Sequence, residues 1–437
     1  LELVLKPCSI CSIAAPLLFL FGEGFSEAQI PPQDPPEEEQ EAAPEQERKP
    51  EAPGPPEGIL PVGEITRVGF APSDLPQVLL HGSRLVIATV SGSVVAHDAG
   101  TGEFRWKLGL PGERLFAPGV SRIDPLEILL ASASGRLFVI DGETGEIHRE
   151  IQLPFELALA PLVDGPTLYL GTPGGDVIAF DLETGSERFR SSTAEAPLAL
   201  AASGGTIVVS GSERTLVAIH AGSGAERWRF RGRSAFRAPA VFAEDRLYVG
   251  NDAGEFYCLA LQDGDTRFHW STGASIPFAA LVEEKLVYVT SFGNELYAYA
   301  TGGGTERYRV SLPGRPASGP WRFGRRLLVA TYDGALVEID PQKGAVSETY
   351  EAPGELASAP TFLSVLPSRG SRNPDGDEAP PASPGAPWYL GHRVALPLRT
   401  GEVLLLGHRP EERKEEKPEP PPKPPGETPG EDSLSRK

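Results

Sequence analysis

Val94-Val-Ala-His-Asp98-Ala-Gly-Thr101-Gly102-Glu-Phe-Arg-Trp106 decides how this chain is to be read. An apolar run ends on an aspartate, Thr-Gly follows, and a large ring comes four residues after the glycine. The carboxylate can accept hydrogen bonds from loop N–H groups, and glycine takes the positive φ of a sharp reversal. Together they turn the chain between two antiparallel strands. The arrangement returns at Asp141-Gly-Glu-Thr144-Gly145 and Asp181-Leu-Glu-Thr184-Gly185. Weaker copies lie at His220 to Gly224, Ala260 to Gly264, Ala300 to Gly304 and Asp340 to Gly344. Successive glycines are 43, 40, 39, 40, 40 and 40 residues apart, a period that marks a repeat architecture.

Each period holds four short apolar runs, as in Ala238–Phe242, Arg246–Gly250, Glu255–Ala260 and Thr266–Trp270. Four antiparallel strands per unit of this size form a propeller blade, so the fold class is all-β. Prolines at Pro118, Pro161, Pro239, Pro320 and Pro360 mark where each innermost strand begins. Rings stand four residues after the turn glycine at Trp106, Phe189, Trp228, Phe268 and Tyr308, while Arg149 and Glu348 break the rule. A ring fixed in each repeat is expected to pack between neighbouring sheets, with exposed ligand stacking as the alternative. Seven repeats carry the turn, and an eighth starts at Ala359-Pro-Thr-Phe362 and runs to Leu406 without an outer strand. Gly63-Glu-Ile-Thr-Arg-Val68 reads like the post-turn strand Gly264-Asp-Thr-Arg-Phe268 and can supply the missing piece. The expectation is an eight-bladed propeller closed by its N-terminal strand, or seven blades if the eighth copy is degenerate.

Four segments follow: a signal peptide over 1–28, an acidic Pro-rich linker over 29–57, the propeller over 58–410 and a charged Pro-rich tail over 411–437. The run from Pro7 to Phe21 has the length of a signal-peptide core and is too short to span a bilayer. Ser26-Glu27-Ala28 offers small residues for cleavage before Gln29. The residues before Cys8 and Cys11 fit a lipoprotein signal badly, so a soluble periplasmic or secreted protein is expected, with no transmembrane span after cleavage. The linker carries nine acids against Arg48 and Lys49, and neither flank has enough apolar surface to offset the entropy of ordering. The net charge of −20 argues against nucleic-acid binding. Residues 367–387 interrupt the eighth repeat between its first two strands and read as a tolerated surface excursion, with a partner contact as the alternative.

The chemistry is sparse. Cys8 and Cys11 lack the folded context of a redox pair or zinc site, and Cys258 lies mid-strand as a small apolar residue. The histidines (His81, His97, His148, His220, His269, His392 and His408) show no metal-ligand spacing. His97 and His220 flank turns and read as local hydrogen-bonders. No catalytic, cofactor-binding or metal-binding residue is assigned.

The motif of apolar strand, Asp-x-x-Thr-Gly and a ring four residues on resembles the pyrroloquinoline-quinone (PQQ) enzyme repeat family across about residues 60–408. One branch of that family comprises quinoprotein dehydrogenases, which imply a polar quinone pocket, a calcium site and a catalytic Asp. Many of them carry two adjacent cysteines, and this chain has no Cys-Cys pair. The other branch is non-enzymatic and includes propellers of outer-membrane assembly. Resemblance to it implies a monomeric scaffold with no cofactor, binding protein partners of the cell envelope through loops or a sheet edge. The doubtful lipoprotein signal and the long flanks depart from that branch. The alternative is a PQQ-dependent enzyme or a small-ligand sensor using the central channel.

Overall fold

The computed structural model describes residues 63–407, apart from 121–123, 125, 324 and 365–391. The leader, linker, C-terminal tail, insertion, Cys8, Cys11 and His408 therefore lie outside the described residues. Eight four-stranded antiparallel sheets follow one another with no α-helix among the described residues. Blades 1 to 7 run in chain order, each from an innermost to an outermost strand. Blade 1 is Pro76–His81, Arg84–Thr89, Ser93–Asp98 and Phe104–Gly109. Blade 8 takes Thr361–Ser364, His392–Pro397 and Glu402–Gly407 from one end of the chain and Gly63–Gly69 from the other. The last pair is antiparallel, with Gly63 opposite Gly407 and Gly69 opposite Glu402. The ring is thus an eight-bladed propeller closed by its own N-terminal strand.

Burial explains the layering. Second strands such as Arg84–Thr89 are buried throughout, whereas outer strands such as Ile147–Gln152 are mostly exposed. Innermost strands are short in five of the seven blades in chain order, those of blades 1 and 4 being the exceptions: in blade 5 pairing begins only at Val241, because Pro239 has no N–H to give to the ladder. Among the described residues the buried apolar side chains form eight clusters, each shared by two neighbouring blades. The seam has its own cluster, joining Val78, Leu80, Leu85 and Ile87 of blade 1 to Ala395, Val403 and Leu405 of blade 8. Ile65 and Val68 of the N-terminal strand, and Phe70 just after it, pack against it.

The turns act as reasoned, and they also join the blades. Asp98 Oδ1 accepts from the N–H groups of Gly100 and Thr101, both at 2.8 Å, and Gly102 has φ +78. His220 replaces the aspartate, its Nδ1 accepting from Gly222 N at 3.1 Å. Most turns then receive a donor from the preceding blade. Trp106 Nε1 donates to Gly142 O at 3.0 Å, Trp228 Nε1 to Leu261 O at 2.9 Å and Tyr308 Oη to Pro341 O at 2.8 Å. Each acceptor is the residue directly after the start of the turn. Arg149, which broke the ring rule, fills the same role by donating to Leu182 O. The fixed rings therefore pack between sheets: Trp106 and Trp228 are 6 % and 7 % exposed.

One feature escaped the sequence reading. In every blade an extra residue interrupts the pairing of the outer strand. That residue is Arg105, His148, Arg188, Arg227, Arg267, Arg307, Ser347 or, at the seam, Ile65. A bulge re-aims its side chain, and in blades 1 and 3 it turns Arg105 and Arg188 back onto Asp98 and Asp181. The register also places Thr66 at the ring position of the closing strand, where it meets Gly102. Threonine cannot reach the next turn, so Arg393 does so instead, donating from Nε to Ala99 O at 2.8 Å while 3 % exposed.

Candidate functional site

Strands alternate in direction, so the hairpins between first and second strands share one face of the ring with the turns between third and outer strands. On that face a recess of about 910 Å³ opens between blades 6 and 7. Its walls are the hairpin Leu281–Glu283 to Leu286–Ser291 of blade 6, the hairpin Trp321–Phe323 to Arg326–Ala330 of blade 7, and the turn after Asp340. Tyr288 and Tyr308 form the floor, and burial pushes both phenols above their ordinary range.

The recess is rich in charge. Arg322 pairs with Glu283 at 3.3 Å, and Arg326 pairs with Asp340 at 2.6 Å. Burial raises the Glu283 carboxyl even against Arg322. Asp340 is held below the usual carboxylate range: burial opposes this, but the N–H groups of Gln342 and Lys343 and the Arg326 guanidinium prevail. Lys285, Arg307 and Arg325 also line the recess, are exposed, and have no ion pair among the described residues. Glu284 is the acid left beside them.

Arg307 is free for a reason visible in the repeat. In blades 1 and 3 the bulge arginine is tied to the turn aspartate of its own blade. The turn of blade 6 begins with Ala300, so Arg307 has no such partner. Blade 7 is the converse: its bulge residue is Ser347, and Asp340 takes Arg326 from the second strand instead. This could have been found in the sequence as paired departures at the first turn position and three residues after the glycine.

The remaining polar residues are placed singly. His97 Nδ1 lies 3.1 Å from Gly102 O, His148 lies 3.4 Å from Glu127, and His269 stacks on Tyr257. Cys258 is fully buried, and burial pushes its thiol up. Among the described residues no three His, Cys, Asp or Glu side chains come together to hold a metal ion.

The model of the PQQ-repeat family described as outer membrane protein assembly factor BamB matches residues 64–199, 192–277 and 267–404, which is the whole ring. The chain belongs to that family. No curated protein sequence matches it. BamB from Moraxella catarrhalis has a similar structure, with a TM-score of 0.59 and 16 % identity over 79 % of this chain and 100 % of that one. The computationally designed Ika8 protein gives 0.62 and 14 %, over 79 % of this chain and 99 % of the other. Sqt1 of Saccharomyces cerevisiae gives 0.64 and 12 %, over 79 % and 98 %. At such identities the structural likenesses speak for the fold alone. The BamB family match accounts for the repeat, and no helix among the described residues is long and apolar enough to cross a membrane.

Proposed function

We propose that the chain is a non-catalytic protein-interaction scaffold of the cell envelope, exported to the periplasm or beyond and working in outer-membrane protein assembly. The observation that carries this reading is the match to the BamB family model along the whole ring. The disposition of polar groups supports it: turn aspartates and the bulge arginines of blades 1 and 3 are engaged within their own blades, and ring N–H groups in joining one blade to the next. What remains is a rigid ring whose faces are available to other chains. Cross-linking in intact cells, followed by mass spectrometry of the captured proteins, is the test. Recovery of barrel-assembly components of the outer membrane is expected. Turnover of an alcohol or sugar after reconstitution with PQQ and calcium would overturn the reading, as would a capture containing no envelope protein.

A further inference from the structure

The three unpaired cations of the recess between blades 6 and 7 sit on three different elements. Lys285 lies in the inner hairpin of blade 6, Arg307 on the bulge of its outer strand, and Arg325 in the inner hairpin of blade 7. A small anion such as phosphate is held by donors that converge on one point. Here the three cations come from separate elements that line a space of about 910 Å³, room for a chain segment carrying several negative charges. The chain as a whole is acidic, with a net charge of −20, a large part of it on the flanking segments. A basic site on an acidic protein selects its partner by complementary potential.

We propose that this recess is a docking site for an acidic peptide segment of a partner protein, its carboxylates engaging Arg307, Arg325 and Lys285. The proposal rests on the scaffold reading above and adds where one partner is held and by what chemistry. Arg307 is the core of the argument. The ion pair that immobilises its counterparts in blades 1 and 3 is absent because alanine stands at position 300. The guanidinium is therefore available to bind, while the bulge still fixes where it points.

The test is fluorescence anisotropy of a labelled oligoglutamate peptide titrated with the full chain, with labelled oligolysine as the control. Two variants bear on the recess. The first is Arg307→Glu combined with Arg325→Glu. The second is Ala300→Asp, which restores the aspartate of the repeat and gives Arg307 an intramolecular partner. Arg190→Glu combined with Arg229→Glu makes the same charge change on the outer strands of blades 3 and 4. The recess double variant is expected to weaken oligoglutamate binding at least about tenfold, since it puts like charges against the ligand. Ala300→Asp should weaken it in the same direction with an unchanged thermal midpoint, which covers the case in which the double variant fails to fold. The outer-strand control should bind like the parent. Absence of oligoglutamate binding, equal affinity in all variants, or displacement by an equal concentration of inorganic phosphate would overturn the proposal. None of these results bears on the scaffold reading, which is decided by the cross-linking capture.

Discussion

A Cβ on Gly145 would lie 2.7 Å from the ring of Trp106, and the backbone there has φ +76. The first constraint comes from the neighbouring blade and the second from the turn itself. Gly264 is held in the same way, 2.7 Å from Trp228 at φ +77. The positive φ was legible in Thr-Gly; the contact was not, because it joins residues that only the curvature of the ring brings together. Gly145→Ala is therefore expected to destabilise the protein by about 1–3 kcal/mol, through backbone strain and overpacking. Urea denaturation followed by tryptophan fluorescence measures this, and an unchanged midpoint would contradict the packing described.

The turn aspartates bring a pH dependence. Asp181 is brought down to about 2, first by the N–H of Thr184 and then by Arg188, and Asp98 and Asp141 are shifted in the same direction. A carboxyl whose pKa is lower folded than unfolded stabilises the fold above the unfolded value of about 3.9. For Asp181 that contribution is lost as the pH falls from there towards 2. Asp181→Asn should lower stability at neutral pH and flatten the stability profile between about pH 4 and pH 2. Equilibrium unfolding over that pH range checks it, and a variant with the parental slope would show that the turn hydrogen bonds do not bias the carboxyl.

At the scale of strands, the period and the four apolar runs were enough to read the blades, because burial on both faces makes middle strands continuously apolar. The bulge was hidden, since inserting one residue leaves composition untouched and changes only which partner each side chain faces. The closing strand was legible as a missing outer strand, yet the way it is latched was not. Thr66 takes the ring position, and the donor to the next turn moves to Arg393, two strands away in the same sheet. Arg393 is buried, so replacing it leaves Ala99 O without this donor. Arg393→Met is expected to cost about 1–3 kcal/mol. The matching change at the exposed Arg309, which pairs with Glu306 three residues away, should stay below about 1 kcal/mol. Comparing the two variants in one denaturation series separates a seam contact from a surface pair.

The whole ring differs from an open stack of repeats in having no terminal unit. In a solenoid each repeat touches only its neighbours and the ends can fray alone. Here the first strand of the chain is an outer strand of the last blade, and the eighth apolar cluster lies across that seam like the others. Releasing Gly63–Gly69 would uncover the edge of Glu402–Gly407 and the apolar residues Val403 and Leu405 behind it. That opening is costly, so the N-terminal strand should be protected like an internal one. Hydrogen exchange with mass spectrometry is expected to show peptides from this strand exchanging with the inner blades, not ahead of them. If they exchange early while blades 2 to 7 stay protected, the seam is a weak joint. A weak joint would let blades 6 and 7 move apart, and the spacing of Arg307 and Arg325 across their recess would no longer be fixed. The rigidity that a docking site needs is therefore decided at the seam, one blade away from the recess it serves.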